Sequence, residues 1–329
     1  MSTSGTIGAT TIATAKILEH SLRRCGVSPT AQTPEIVTIA QENLFFLLLS
    51  LASRGINLWA VDKRIMEAVV GKITYTLPTG TLEILNATYS TATYVTGTDV
   101  SAATNYKVTL TTATAVVRAG VTFSVLPTTG YALQYSSDGT TWSTATSVAV
   151  GDLPAVNETQ WWDMNVSGSY AYYRVYAAAG LTATELLLCN TVTDLSMAQL
   201  NRDSYTSLPN KYSPGSPAVN YYFEKLISPQ ISLWPVPNVA DNQFCIWRHR
   251  QIEDIGTLTQ ELAIPNRWLE AIIWQCALRL CFELPVGVVT PERIQMVKDM
   301  TAGMLGEVEG DEQDGAPIYY QPNIGVYTK

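Results

Sequence analysis

Apolar positions recur along this chain with two different periods. Ile12, Ala15, Leu18, Leu22 and Cys25 fall three or four residues apart, the spacing of one helix face, and the run stops at Gly26, which suits a left-handed helix end. Thr33-Pro34-Glu35 opens a second helix with a capping hydroxyl, a proline at the first helical position and an acid at the positive end. That helix is predicted to run to about Arg54 and stop at Gly55. From Leu44 to Ala52 it is apolar nearly all round, whereas a surface helix keeps a polar face. One face is expected to meet the chain's own core. The other needs a second partner, an inserted module or, preferably, a neighbouring subunit. Leu47 and Leu48 are the candidate contact residues.

The period then shortens to two. Leu58 to Met66 and Ile73 to Tyr75 read as strands, with Gly71-Lys72 as a turn between them. Residues 88–191 hold 21 threonines and only nine charged side chains, with no helical period. Alternating runs recur there at Lys107 to Leu110, Val121 to Val125, Ala132 to Tyr135, Tyr170 to Tyr176 and Glu185 to Cys189. Ser137-Asp138-Gly139 marks a hairpin turn, and Trp142 follows it. This segment reads as an all-β sandwich of immunoglobulin-like or jelly-roll type. Three more strands, Val219 to Leu226, Gln230 to Trp234 and Phe244 to His249, lead into a helix opening at Pro265 or Asn266. A last helix starts at Thr290-Pro291-Glu292. Beyond Met304, five acids between glycines precede Tyr319, Tyr320 and Tyr327, which reads as an acidic spacer and an aromatic arm.

The ordered set between Asp203 and Leu284 resembles bacteriophage head-to-tail adaptor proteins of short-tailed phages. The matching pieces are Tyr205 to Lys211, Gly215 to Pro217, Tyr221-Tyr222, Trp234 to Pro237, Arg248 to Asp254 and Pro265 to Trp268. The step Tyr75 to Pro78 is similar to the family too. The pattern breaks off near Ala87 and resumes near Val192. The expected fold is therefore α+β, with a helical adaptor core and a small antiparallel sheet at residues 1–87 and 192–305. The β-sandwich at 88–191 is read as an insertion, and 306–329 as an extended C-terminal arm.

The resemblance implies a homo-oligomeric ring of about twelve copies at the head-to-tail junction of a virion. Such a ring contacts the portal protein and the tail nozzle or hub protein, and DNA passes through its lumen without specific binding. The insert would be free to meet a tail fibre or spike. Arg248 and Arg250, on one face of a strand, are candidate subunit contacts, because a guanidinium pairs with carboxylates in two hydrogen bonds. Tyr319, Tyr320 and Tyr327 are candidate portal contacts.

Charge and chemistry add limits. Net charge is −8 and charged content is 15%, below the usual ~25%, so a nucleic-acid binder is not indicated. The longest wholly apolar run, Leu44 to Leu49, is short of the ~20 residues that span a bilayer. With no basic start or apolar block at the head of the sequence, synthesis in a bacterial cytoplasm and no membrane partner are expected. The five cysteines lack metal or disulfide spacing and read as buried thiols. His20 and His249 have no ligand neighbour and read as solvated or paired. No phosphate loop, nucleophile elbow or metalloprotease motif occurs, so no catalytic residue, cofactor or metal is expected. The alternative function is a phage tail protein whose β-sandwich binds a cell-surface glycan. Trp161-Trp162 could then stack a sugar ring, although a pair in which one packs inward and the other shields an edge is the plainer reading.

Overall fold

A computed structural model describes residues 12–54, 60–149, 156–240, 242–251, 257–262, 264–284 and 289–311. They divide into two compact units. One is helical and is built from residues before Asp62 and after His249; the other, Asp62–His249, is β.

The helical unit contains α1 (Thr14–Cys25), α2 (Pro34–Arg54), α4 (Asn266–Glu283) and α5 (Pro291–Asp311); a short α3 (Arg202–Thr206) belongs to the β unit. Local chemistry sets the ends. Gly26 closes α1 at φ 101°, its N–H bonding the Arg23 carbonyl. Thr33 and Thr290 cap α2 and α5, their hydroxyls accepting from the backbone N–H groups of Ile36 and Arg293 at 3.4 Å. α5 runs on through Gly306 and Gly310 to Asp311, into the segment read as an acidic spacer.

α4 is the centre of this unit and packs on α1, α2 and α5. Trp268, Ile272, Ile273, Cys276, Leu280 and Cys281 are all buried on it. Polar side chains pin the neighbours to its backbone and flanks. Ser21 donates to the Ile273 carbonyl at 3.2 Å, Thr301 to the Trp274 carbonyl at 3.1 Å, and Asn43 to Glu283 at 2.8 Å. α2 buries Ala40, Asn43, Leu44, Leu47, Leu48 and Leu51 along one face. Each leucine so buried contributes roughly 1.5–3 kcal/mol. Its stretch Pro34–Leu51 is long and apolar enough to cross a membrane by length and composition, and only a third of it is buried.

The β unit comprises β1 (Val61–Ala68), β2 (Thr74–Thr76), β3 (Thr81–Val95), β4 (Gly97–Ala102), β5 (Asn105–Thr114), β6 (Arg118–Val125), β7 (Tyr131–Ser136), β8 (Ser143–Val148), β9 (Thr159–Asp163), β10 (Tyr170–Tyr176), β11 (Thr182–Ser196), β12 (Ala198–Leu200), β13 (Asn220–Glu224), β14 (Gln230–Trp234) and β15 (Asn242–Arg250). They form a six-stranded sheet β1-β15-β3-β11-β6-β9, a five-stranded sheet β4-β5-β10-β7-β8 and a four-stranded sheet β12-β13-β14-β2. Phe123, Tyr131, Leu133, Tyr173, Val175 and Leu188 fill the core between the five- and six-stranded sheets. A second core, with Tyr75, Tyr89, Tyr221, Ile231, Leu233 and Phe244, packs the four-stranded sheet.

The expectation of a helical adaptor core carrying an inserted sandwich is overturned. Strand, at 42%, outweighs helix, at 28%. The six-stranded sheet is one wall shared by both cores. β3 and β11 cause this: each runs for 15 residues, and they pair antiparallel from Leu188↔Val95 to Ser196↔Thr88. β11 turns its first half to β6, from Thr182↔Val125 to Cys189↔Arg118. One strand of the expected small sheet, β15, is therefore hydrogen-bonded into the same sheet as β6, β9 and β11 of the threonine-rich segment, while β13 and β14 lie in the four-stranded sheet.

Candidate ligand-binding face

Alternation along β10 separates its two faces. Tyr173 and Val175 point into the core, 1% and 0% exposed. Tyr172, Arg174 and Tyr176 therefore lie on the outer face of the five-stranded sheet, half-buried. Register adds their neighbours. On β5, Thr109, Lys107 and Asn105 stand opposite Tyr172, Arg174 and Tyr176; on β7, Gln134 stands opposite Arg174. Trp142 comes from the turn before β8.

Arg174 organises this face. Its guanidinium carbon lies 4.0 Å from the Trp142 ring centroid and 4.8 Å from that of Tyr176. Its Nε donates to Gln134 Oε1 at 2.8 Å, and Gln134 Nε2 donates on to Thr144 Oγ1 at 3.1 Å. The cation is thus oriented on three sides by two rings and an amide. Burial draws its pKa below the ordinary guanidinium value, yet an arginine stays charged at neutral pH. Lys107 lies 5.9 Å from the Tyr172 ring centroid. The Asp138 turn brings Gly139 beside the Tyr172 ring, and the Asp138 carboxylate accepts from the N–H groups of Thr140 and Thr141, both at 2.8 Å, which hold it well below the usual carboxylate range. A surface with half-exposed rings, oriented amides and fixed cations can stack an apolar ring face while bonding its polar rim.

A concavity of about 420 Å³ lies elsewhere in the β unit, lined by Lys63, Val117, Arg118, Asp163, Asn190, Thr191, Val192 and Asp194. Its charges are matched internally. Arg118, 2% exposed, donates to Asp163 at 2.9 Å and to Gln243 at 3.0 Å. Lys63 pairs with the other Asp163 oxygen, and Ser90 donates to Asp194 at 2.5 Å. Burial pushes the Asp163 pKa up, but Lys63 and Arg118 outweigh it and the group lies below its ordinary value.

The residues singled out from sequence fall in other places. Trp161 is 1% exposed and packs across Gly120, so it presents no face to a ligand. Trp162 is half-buried against the sandwich core and donates to the Tyr131 hydroxyl at 2.7 Å. Leu47 and Leu48, 2% and 3% exposed, lie inside their own unit and not on a subunit contact. Arg248 is likewise not an external contact. It is 4% exposed, forks onto both oxygens of Asp62 at 2.6 and 2.9 Å, and donates to Thr81 at 2.7 Å. Arg250 is half-buried at the end of β15. His249 is 4% exposed, not solvated, and burial lowers its pKa. Tyr319, Tyr320 and Tyr327 lie outside the described residues. The five cysteines are free and buried. Within the adaptor-like stretch, Tyr205 stacks on Tyr222 at 4.6 Å and Trp234 donates to the Asn210 carbonyl at 3.1 Å, a local packing cluster.

The outer face escaped the sequence reading, although Tyr-x-Arg-x-Tyr at alternate positions of a recognised strand was its signal. Pairing with Trp142, Lys107 and Gln134 is set by register and has no local signature.

No family model and no curated protein matches this chain. Among solved structures, the C-terminal domain of a chitobiase from Bacteroides fragilis is 14% identical, over 27% of this chain and 64% of that one, with a TM-score of 0.22. The chain thus spans less than two thirds of that domain. A chitosan-binding module from a chitosanase/glucanase of Paenibacillus sp. IK-5 is 15% identical over 38% and 97%, TM-score 0.20. CBM32-3 from a family 31 glycoside hydrolase of Clostridium perfringens is 11% identical over 39% and 94%, TM-score 0.20. At TM-scores this low the likeness carries no weight for fold or function.

Proposed function

We propose that this chain is a glycan-binding protein whose ligand lies on the outer face of the five-stranded sheet. The observation that carries the proposal is the Trp142–Arg174–Tyr176 row, fixed by Gln134. A pyranose has an apolar C–H face and a rim of hydroxyls. Half-exposed rings stack the first, and Gln134, Asn105, Thr109 and Thr144 offer neutral donors and acceptors to the second. The binding surface needs no lid, because the rings are already oriented by their own contacts. Trp142→Ala and Tyr176→Ala tests the reading on a glycan array. The expected result is binding by the wild-type chain that both variants lose while melting with it. Binding unchanged in both variants would place the site elsewhere.

A second reading is a subunit of a phage head-to-tail connector ring. One observation favours it: α2 leaves Phe46 56% exposed on its outward side, and Phe282 on α4 is 73% exposed. A second copy would cover such rings. Light scattering of the purified protein, alone and with portal, tests it; a monomer under both conditions counts against it.

A further inference from the structure

We infer that the glycan taken by the outer sheet face is anionic, a saccharide bearing carboxylate or sulfate groups. This deepens the glycan-binding reading and rests on it. Arg174 on β10 stands directly opposite Lys107 on β5, on the same face. Side chains so placed have Cβ atoms about 4.5–5.5 Å apart, and like charges there repel. Three other cations of the β unit meet acids: Arg118 and Lys63 share Asp163, and Arg248 forks onto Asp62. Arg174 and Lys107 have no carboxylate partner among the described residues.

The acids of the five-stranded sheet and its turns, Asp99 and Asp138, do not supply one. Asp99 is in register with Val108, which faces the core, and it accepts from the Tyr106 hydroxyl. Asp138 is engaged by its own turn, its Oδ1 accepting from Ser136, Thr140 and Thr141. The chain carries 28 acids against 20 Lys and Arg, so a bare cation pair is not a shortage of carboxylates. An anion on the sheet face, between the two side chains, would offset the repulsion. The Arg174 fork, held in place by Gln134, Trp142 and Tyr176, is pre-set to receive it.

A nucleic-acid strand is the competing occupant. It presents a phosphate at every nucleotide and calls for a groove of cations along its path. This face offers one pair flanked by neutral hydrogen-bonding groups, which suits a sparsely charged, hydroxyl-rich ligand.

The test uses the full chain on an array of sialylated, uronate-containing and sulfated saccharides beside their uncharged counterparts. A labelled single-stranded DNA oligomer forms a third arm. Retention on charged spots should exceed that on uncharged ones by about tenfold or more. Lys107→Gln should remove that excess, and Lys107→Arg, which keeps the charge, should retain it. Equal retention on charged and uncharged sugars overturns the anionic selectivity while glycan binding stands. Retention on no sugar, or tighter binding to the DNA, overturns both.

Discussion

Asp62→Ala should damage the β unit more than Arg248→Met, although the two residues share one ion pair. The Arg248 side chain is 5% exposed and that of Asp62 is 25% exposed. Deleting the carboxylate removes hydrogen bonds of 2.6 and 2.9 Å and leaves a buried guanidinium with Thr81 Oγ1 and, at 3.3 Å, the Pro78 carbonyl. Breaking a buried pair costs about 3–5 kcal/mol, and the partial exposure of Asp62 brings the expectation to about 2–4 kcal/mol. For a unit of this size each kcal/mol lowers the melting temperature by ~2–4 °C, so the drop should be about 4–16 °C. Arg248→Met leaves a different remnant. Asp62 keeps solvent and Arg64, whose Nε is 3.4 Å away, and methionine retains much of the buried hydrocarbon. About 1–2 kcal/mol is expected there. Thermal unfolding followed by tryptophan emission reads both. If Arg248→Met proves as costly as Asp62→Ala, the asymmetry of solvation argued for this pair is wrong.

Three further outcomes are expected. Asp163 has a folded-state pKa below its ordinary value, so the stability it contributes is complete above the carboxylate range and is lost as pH falls through the depressed value; Asp163→Asn should flatten the acid limb of the pH–stability profile, and profiles of identical shape would contradict this. A Cβ on Gly120 would lie 2.7 Å from the Trp161 ring, so Gly120→Ala should cost about 1–3 kcal/mol in denaturant titrations. Burial pushes the Cys245 thiol up to about 11 and Cys276 up to about 12, and all five cysteines are buried; a disulfide-exchange reagent at mildly alkaline pH should label none in the folded chain and five after denaturation.

What was legible in the sequence was local. The bounds of β10 and β14 coincide with the alternating runs, because their period is written in consecutive residues. Gly26, Thr33 and Thr290 end or start helices through bonds to residues three or four positions away. Partnership was not legible. Arg248 read as an outward contact because its acid, Asp62, lies 186 positions earlier. The sequence places module boundaries near residues 87 and 192, where the adaptor-like pattern breaks off and resumes, but β3 and β11 run through both, because pairing between them carries the strands onward. The candidate site failed in the same way. Trp161 and Trp162 drew attention as adjacent aromatics, while the exposed row is assembled from a turn and three strands.

The β unit enters on β1 and leaves on β15, which are neighbours in one sheet, and it separates α1 and α2 from α4 and α5 in sequence. On the ribosome this order becomes a delay. Roughly 190 residues lie between Asp62 and His249, and at about 5–20 residues per second they take about 10–40 s to synthesise. Throughout that interval Leu44, Leu47, Leu48 and Leu51 have been made and α4 has not. The β unit can close on itself as it emerges, whereas the first two helices wait with their apolar faces bare. Cell-free translation without chaperones is therefore expected to leave more of this chain aggregated than translation with them, at a stage that no melting temperature of the finished molecule measures.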